Sequence, residues 1–380
     1  MNARALILMI IFSVVMILGG CSKASDTQET TQGSAGRDTE TNSEATGTEA
    51  SSKQEAEPVV TKSGEVVIDF QFDDVRSFSE GLAPVKVGDK WGYIDTKGNF
   101  VVQPEYTDAR QFHEGLAAVA YGRYYGFIDK TGQVVIEIMY GEPSVFSEGL
   151  VAVAQGTRYG FIDKTGTWVI EPKFFFGGIE EKFMERNSKF TNGIAPVKYE
   201  GAWGYIDKKG NFVFEPKYAS VGWEFTNDVT SVILDDKAFL VDKKGNPIND
   251  KTYDSVAAEG TEVFYARKDK KYGFIDPEGN EITEFKFDEV MGSKFEFNAE
   301  MVKLNGKWGI VDKTGKMIVE PKFDIGTWFS EGVAGTKAGS SYGFVDRLGN
   351  TIVDFQFDRV LRYSEGLAAV QRNEKWGFIN

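Results

Sequence analysis

A unit of about 34 residues recurs along most of the chain, and its most regular piece is an aromatic-glycine dipeptide that leads into an aspartate. The first copy is Trp91-Gly92-Tyr93-Ile94-Asp95. Further copies begin at Tyr125, Tyr159, Trp203, Tyr272, Trp308, Tyr342 and Trp376, and a decayed copy begins at Ala238. Units of this size cannot each bury an apolar core alone, so the nine units must pack against one another.

Each unit carries short apolar runs bounded by turn residues, which predicts about three β-strands per unit. Phe78-Ser79-Glu80-Gly81-Leu82-Ala83 and Val169-Ile170-Glu171-Pro172-Lys173-Phe174 recur in phase with the dipeptide. Asn305-Gly306 separates two apolar runs, and this pair predicts a tight hairpin between Met301–Leu304 and Trp308–Asp312. The fold class is therefore all-β, a tandem array of about nine three-stranded repeats.

The repeat strands are apolar on both faces, so each unit should be covered by its neighbours on both sides. In the turn Asp312-Lys313-Thr314-Gly315 the aspartate side chain can accept backbone N–H groups, and the glycine can take a positive φ. The glycine of the aromatic-glycine dipeptide has no side chain. It therefore predicts that a ring from a neighbouring strand or unit packs directly against the backbone at that position.

These motifs resemble the WG-repeat family of bacterial proteins, named for a Trp-Gly dipeptide in a Lys-Trp-Gly-Phe-Ile-Asp context. Lys90-Trp91, Lys307-Trp308 and Lys375-Trp376 match that context, and the resemblance covers residues 60–380. Four units have Tyr for Trp, the unit at Ala238 is decayed, and roughly ten extra residues lie between Gly177 and Phe190. The resemblance implies tandem β-repeats, usually without an assigned biochemical activity.

The pattern favours an open or superhelical, solenoid-like array, because nine blades of three strands exceed the ~4–8 four-stranded blades that propellers usually have. A closed β-propeller is the alternative. The chain enters the repeat in mid-unit, with Val59-Val60-Thr61-Lys62-Ser63-Gly64 imitating the aspartate turn, and it stops at Asn380 where that turn would start. A ring closed by shared strands would show this offset.

The first residues have the pattern of an export signal. Arg4 is followed by an apolar run from Ala5 to Ile17, interrupted only by Ser13, which is short for a membrane span. Leu18-Gly19-Gly20-Cys21 resembles the lipobox of bacterial lipoproteins, and Cys21 is the only cysteine in the chain. We expect residues 1–20 to be a signal peptide and Cys21 to carry a lipid anchor in the cell membrane.

Residues 21–57 are expected to form a lipidated, disordered tether, because Ser22 to Glu57 contains no aromatic residue and no Leu, Ile, Val or Met. The repeat domain then spans residues 58–380 on the extracytoplasmic face of the membrane. The formal net charge of −14 disfavours nucleic-acid partners.

Several motifs invite a catalytic interpretation. Asp163-Lys164-Thr165-Gly166 is close to the phosphorylated-aspartate signature of cation pumps, but it fills a turn slot in other units as well. His113 is the only histidine and stands where other units have serine. Glutamates such as Glu80 recur in equivalent environments. A catalytic pair of carboxyl groups needs two different environments that separate their pKa values. We predict no enzyme activity, no cofactor and no metal site, calcium included.

Aromatic residues outside the repeat slots are the candidate binding residues, because the slots already have a structural explanation. They are Trp168, Trp223, Trp328, Phe174, Phe175 and Phe176. Their alternative role is to fill gaps between units. The predicted function is a membrane-anchored binding or scaffold lipoprotein for a protein or an envelope polysaccharide, and the alternative is a cell-envelope glycan hydrolase.

Overall fold

The computed structural model describes residues 62–175, 188–258, 262–292 and 295–380. Within the compact unit Pro58–Asn380, the described residues form nine small antiparallel sheets. A single 3₁₀ turn, Glu296–Asn298, is the only helical element in these ranges. The all-β, nine-unit prediction is confirmed, but five of the nine sheets have four strands instead of the predicted three. The sheets are the blades of a β-propeller.

Blades 1 to 3 follow one another along the chain, with four, four and three strands. Their strands are β2 (Asp74–Val75), β3 (Leu82–Val87), β4 (Lys90–Asp95) and β5 (Phe100–Tyr106) in blade 1; β6 (Asp108–His113), β7 (Leu116–Tyr121), β8 (Tyr124–Asp129) and β9 (Val134–Tyr140) in blade 2; and β10 (Leu150–Gln155), β11 (Arg158–Asp163) and β12 (Trp168–Phe175) in blade 3.

Blades 4 to 6 have three regular strands each. These are β13 (Ile194–Tyr199), β14 (Ala202–Asp207) and β15 (Phe212–Tyr218) in blade 4; β16 (Ser220–Val221), β17 (Val229–Leu234) and β18 (Lys237–Asp242) in blade 5; and β19 (Ser255–Ala257), β20 (Phe264–Lys268) and β21 (Lys271–Ile275) in blade 6.

Blades 7 to 9 return to four strands. These are β22 (Glu289–Val290), β23 (Glu300–Leu304), β24 (Lys307–Val311) and β25 (Met317–Phe323) in blade 7; β26 (Ile325–Ser330), β27 (Val333–Ala338), β28 (Ser341–Asp346) and β29 (Thr351–Phe357) in blade 8; and β30 (Arg359–Ser364), β31 (Leu367–Arg372), β32 (Lys375–Ile379) and β1 (Val66–Phe72) in blade 9. The predicted hairpin is present as β23 paired with β24.

The ring closes because the first strand of the domain completes the last blade. Strand β1 pairs antiparallel with β32, and Ile68 lies opposite Phe378. The aspartate turn of blade 9 is assembled from both ends of the domain: the Gly64 N–H donates to the Asn380 carbonyl oxygen at 2.9 Å, as the Gly98 N–H does to Asp95 within blade 1. The closed propeller, our alternative, is therefore the architecture, and the open array that we preferred is not.

We letter β2, β3, β4 and β5 of blade 1 as strands A to D, and the strands of every other blade take the letter of their blade-1 counterpart. The turns between strands A and B of neighbouring blades touch: the Ser79 hydroxyl donates to the Phe112 carbonyl at 2.7 Å, and the Ser364 hydroxyl donates to Phe78 at 2.7 Å across the closure. The D strands, in contrast, expose apolar side chains such as Val101. Since blades diverge with distance from the axis, the A strands are innermost and the D strands outermost.

The core lies between blades, where one aromatic pair recurs. One ring belongs to the aromatic residue two positions after the aromatic of the dipeptide. It packs edge-on against a ring of the next blade, which belongs to the residue just before the Ser-Glu-Gly position. Tyr93 and Phe112 join blades 1 and 2 with centroids 5.0 Å apart, and Phe378 and Phe78 join blade 9 to blade 1 at 5.0 Å. The remaining pairs are Phe127–Phe146, Phe161–Phe190, Tyr205–Phe225, Phe274–Phe295 and Phe344–Tyr363. Both faces of most blades are thus covered, as expected.

The glycine of the dipeptide makes room for backbone rather than for a ring. A Cβ added to Gly204 would lie 2.5 Å from the carbonyl oxygen of Phe214 in the D strand, which bulges between the pairs Trp203–Tyr218 and Tyr205–Phe214. Our expectation of an overlying ring is wrong for the regular units. It holds for Gly273 in blade 6, where the nearest atom would be in the Phe285 ring at 3.1 Å.

The predicted signal peptide (residues 1–20) and tether (residues 21–57) lie outside the described residues, and so does most of the insertion between Gly177 and Phe190. Among the residues that the structure describes, no helix has the length and apolar character needed to cross a membrane.

The substitution Gly204→Ala should lower the free energy of unfolding by about 1–3 kcal/mol, because the new methyl group meets immobile backbone. The matched variant Gly273→Ala should cost less, since the Phe285 ring can shift. Urea unfolding of residues 58–380 measures both. If both variants lost the same free energy of unfolding, the close approach of the bulged D strand would not be the reason for glycine at this position.

Candidate binding surfaces

The aspartate turns are structural. One carboxylate oxygen of Asp163 accepts the Thr165 N–H at 2.8 Å, the Thr165 hydroxyl at 2.6 Å and the Thr167 N–H at 3.0 Å. The hydrogen bond from the Thr165 hydroxyl is the main cause that lowers the pKa of Asp163. The same turn recurs at Asp207, where Asn211 replaces threonine as the side-chain partner. The turn interpretation of the pump-like motif is therefore confirmed.

The recurring glutamates connect neighbouring blades, and we call Glu80, Glu114, Glu148, Glu331 and Glu365 the glutamate ring. Glu80 has a left-handed backbone, φ 55°. Its carboxylate accepts the Gly115 N–H of blade 2 at 3.0 Å and pairs with Lys130 of the same blade at 3.0 Å. Partial burial alone would raise the pKa of Glu80, but the hydrogen bonds from Lys130 and Gly115 outweigh it and lower that pKa.

His113 occupies the serine slot of blade 2 and is half-buried, so it is not the solvated loop residue that we considered more common. Burial lowers the pKa of its imidazole, against the nearby carboxylates of Glu80 and Glu114. Throughout the described ranges, no group of His, Cys, Asp or Glu side chains is arranged to hold a metal ion.

The predicted binding aromatics do not come together, because they lie on blades 3, 5 and 8. Phe174 is completely buried, so it cannot contact a ligand, and its prediction as a binding residue is wrong. Trp168 is half-buried and packs edge-on against Tyr140 of blade 2 at 5.8 Å, as a gap-filling residue would. Phe176 lies outside the described residues.

The other predicted aromatics reach the surface to different degrees. Trp328 is 50% exposed, although its indole N–H donates to the Met291 carbonyl of blade 7 at 2.8 Å. Phe175 is exposed beneath the guanidinium of Arg158, which lies 4.5 Å from its ring centroid. Trp223 is half-buried and lines a cleft.

A surface that the sequence analysis missed lies on blade 2, and we call Tyr121, Arg123, Tyr124 and Met139 the blade-2 patch. Tyr121 and Tyr124 face each other across the turn between β7 and β8. Their exposed fractions are 47% and 52%, and that of Met139 on the neighbouring D strand is 56%. The Tyr121 ring is supported from below by Tyr106, with centroids 5.1 Å apart.

The sequence does carry a signal for this patch. The residue before the dipeptide is Lys90 in unit 1 and Lys307 in unit 7, whereas unit 2 has Tyr124. Unit 2 also has Ile138-Met139 where unit 3 has Pro172-Lys173. Each departure replaces a polar residue or a proline with a large apolar residue. The sequence analysis did not single them out, because Tyr124 lies next to the repeated dipeptide.

The second surface is a cleft of about 180 Å³ between blades 5 and 6. Trp223, Glu224, Ser231 and Ser255 are among the residues that line it. The Trp223 ring packs edge-on against Trp203 of blade 4 at 6.0 Å. The lining of the cleft combines hydroxyl, carboxylate and backbone groups with aliphatic side chains such as Val232 and Ile233.

Glu80→Gln should lower the free energy of unfolding at neutral pH by about 0.2–1 kcal/mol, since it removes the ion pair with Lys130. The lowered pKa of Glu80 means that this stabilisation is present above the pKa of the unfolded chain and disappears as the pH falls through the folded value. Unfolding of residues 58–380 across that pH range measures it.

The control is Glu365→Gln, because Glu365 accepts the Gly81 N–H at 2.8 Å while the lysine slot of the next blade holds Thr96. Added salt should reduce the effect of Glu80→Gln and leave that of Glu365→Gln unchanged. Identical salt responses would contradict the ion-pair explanation.

Comparison with known proteins identifies both the repeat and the fold. The family model described as WG containing repeat matches residues 59–91, 91–122, 125–156, 159–174, 203–237, 272–308, 308–340 and 342–376. The decayed stretch after residue 237 is skipped. No curated protein matches the sequence.

Among solved structures, a eukaryotic initiation factor is similar with a TM-score of 0.53 and 12% identity, over 77% of this chain and 89% of that one. Hsv2 of Kluyveromyces marxianus (TM-score 0.38, 10% identity, 82% and 97% covered) and an extracellular domain from B. thetaiotaomicron (TM-score 0.32, 10% identity, 81% and 52% covered) are more distant. Identities this low concern the fold alone.

The matched segments span more than half of the chain, and most of them combine the last two strands of one blade with the first strands of the next. The protein belongs to the family built from WG-containing repeats.

Proposed function

We propose that this protein is a binding or scaffold lipoprotein, anchored through Cys21 at the extracytoplasmic face of the membrane, whose propeller presents the blade-2 patch to a protein partner. The exposure of Tyr121, Tyr124 and Met139 side by side carries the proposal. Contiguous exposed apolar residues on a soluble surface mark interaction sites.

The composition of the patch favours a protein as the occupant. Tyrosine, methionine and arginine are enriched in protein–protein interfaces, and the patch contains all of them. Tyrosines on short turns also lose little conformational entropy on binding, because they have only two rotatable side-chain bonds. Support of Tyr121 by Tyr106 further preorganises the surface.

The anchor and the tether follow from the sequence. Cys21 is the only cysteine and ends the Leu-Gly-Gly-Cys segment, and an acylated cysteine holds a chain at a membrane surface. A disordered chain of this length has a root-mean-square reach of ~30–35 Å.

Envelope polysaccharide as the ligand and glycan hydrolysis as the activity remain the competing outcomes. The hydrolase would need an acid and a base in different environments. The members of the glutamate ring instead have similar environments. Glu114 and Glu148, like Glu80, accept a glycine N–H and pair with a lysine.

Cys21→Ser should abolish incorporation of labelled palmitate and move the protein from the membrane fraction to the soluble fraction of expressing cells, because the thiol that carries the lipid is gone. The neighbouring variant Ser22→Ala is the control and should label like the wild type. Undiminished labelling of Cys21→Ser would exclude Cys21 as the anchor.

The double variant Tyr121→Ala, Tyr124→Ala should weaken partner binding at least tenfold, since truncating exposed interface tyrosines costs roughly 1.4 kcal/mol or more. A photo-cross-linking amino acid at position 124 identifies the partner in intact cells, and purified partner is then titrated. Trp328→Ala removes an equally exposed aromatic from blade 8 and should leave affinity unchanged.

Three results would overturn the proposal. Equal affinities of the double variant and the wild type would exclude the patch. Cross-links from position 124 to glycan rather than protein would establish the polysaccharide alternative. Turnover of envelope glycan that is lost on Glu→Gln substitution at a single blade would establish the hydrolase.

A further inference from the structure

An aspartate stands immediately before strand A in five of the blades, and we call it the entry aspartate. In blade 1 it is Asp73, whose carboxylate accepts the N–H of Gly88 in the turn between strands B and C at 2.7 Å. The others, which accept an N–H from the same turn of their own blades, are Asp254, Asp288, Asp324 and Asp358.

A lysine of the preceding blade completes this arrangement in three of the five blades. Lys375 Nζ lies 2.6 Å from Asp73 Oδ1. The hydrogen bond from Lys375 is the main cause that lowers the pKa of Asp73, and the hydrogen bond from Gly88 adds to it. The equivalent ion pairs are Lys271–Asp288 and Lys307–Asp324. An ammonium group and a turn N–H together thus stabilise a carboxylate at this place.

Blade 2 lacks the carboxylate, because Thr107 stands at the entry position. The Thr107 N–H donates to the Ala120 carbonyl oxygen, as the Asp73 N–H does to the counterpart carbonyl of blade 1, so the backbone arrangement is the same. The Thr107 hydroxyl donates to the same Ala120 oxygen at 3.0 Å and carries no charge. The N–H of Gly122, which is the counterpart of Gly88, therefore lies beside an entry position without an anion.

The cation of the arrangement is retained in blade 1. Lys90 directly precedes the dipeptide at the start of β4, just as Lys375 precedes it at the start of β32. The turn of blade 2 adds Arg123, next to Gly122. Both cations are exposed, and neither forms an ion pair within the part of the chain that the structure describes.

The acidic residues nearby do not replace the missing carboxylate. Burial raises the pKa of Tyr121, and Glu105 lies close enough to the Tyr121 hydroxyl to raise it further. Glu105 is thus directed to the tyrosine. Asp89 is the neighbour of Lys90 in its turn, but no ion pair joins the two. Lys90 and Arg123 therefore leave a local positive charge at the blade-2 patch, in a protein whose net charge is −14.

We propose that the protein partner of the blade-2 patch inserts an acidic side chain here, and that its carboxylate binds between Lys90 and the Gly122 N–H, where other blades have their entry aspartate. Charge-assisted hydrogen bonds are roughly twice as strong as neutral ones, and complementary charge gives specificity to an interface. Tyr121 and Tyr124 belong to the same turn, so the partner segment combines an acidic residue with an apolar one. This inference rests on the proposed function, since it names the chemistry of that partner.

Selection of a random peptide library on the full chain in detergent micelles tests the proposal, with the variant Lys90→Gln, Arg123→Gln as the counter-selection surface. The peptides are fused at their C-termini, so only side chains can supply a carboxylate. We expect the recovered peptides to contain Asp or Glu near an apolar residue, and to bind the wild type at least tenfold more tightly than the variant. Recovery of neutral peptides alone, or of none that distinguishes the two surfaces, would overturn the proposal.

Thr107→Asp gives blade 2 an entry carboxylate of its own, which competes with the partner for Lys90 and the Gly122 N–H. This variant should bind a selected peptide at least tenfold more weakly than the wild type. The matched control is Ala219→Asp, which adds the same charge before strand A of blade 5, where Ala202 holds the lysine position. It should bind the peptide like the wild type. If Thr107→Asp does not fold, Lys90→Gln alone serves instead, and unchanged affinity in the variant that is used would exclude the site.

The tyrosine variant separates this inference from the proposed function. We expect Tyr121→Ala, Tyr124→Ala and also Lys90→Gln to weaken binding of the cross-linked partner, and added salt to weaken wild-type binding. If the tyrosine variant alone binds more weakly, the patch is the binding surface and only the acidic side chain is excluded. If neither variant changes the affinity, both proposals fail. Binding of a polyuronate glycan, with no acidic peptide recovered, would also overturn the inference.

Discussion

The edge-on aromatic pair between neighbouring blades is the interaction on which the propeller depends. Each pair contributes about 0.5–1.5 kcal/mol beyond the burial of its area, and at the seven junctions that have one it sets the separation and tilt of two sheets at the same height. The pair between Phe378 and Phe78 does this across the closure, so the last junction is built like the first. Closure then removes the exposed sheet faces that an open array would leave at its two ends.

Exact repetition explains stability, and departures from it locate the candidate sites. Where Leu240 replaces the aromatic ring of strand C and Gly222 has no side chain, a cleft opens between blades 5 and 6. Where the polar residue before the dipeptide becomes Tyr124, an apolar patch appears on blade 2. Neither departure opens the propeller, because glutamate and serine side chains of the inner turns connect the blades on either side of these positions.

Much of the local structure followed from residue chemistry. The hairpin around Asn305-Gly306 and the turn at Asp163 formed as predicted, since a left-handed glycine and an aspartate that accepts backbone N–H groups impose their geometry locally. The candidate binding residues were harder to predict. Phe174 and Phe175 are neighbours in a strand, yet one is buried and the other exposed, because alternation turns adjacent side chains to opposite faces.

The sequence by itself determined the number of units, three strands of each unit, the turns and the family, because these depend on contacts within about 34 residues. It did not reveal the fourth strand that five of the described sheets have. It also determined the offset at Lys62–Gly64 and Asn380, which the structure joins into one turn. Only the tertiary structure decided that the array closes, since the angle between blades is set by packing across their faces. For the same reason only the tertiary structure decided which departures from the repeat become surfaces, because Gly222 borders a cleft only when residues 255–258 of blade 6 stand opposite it.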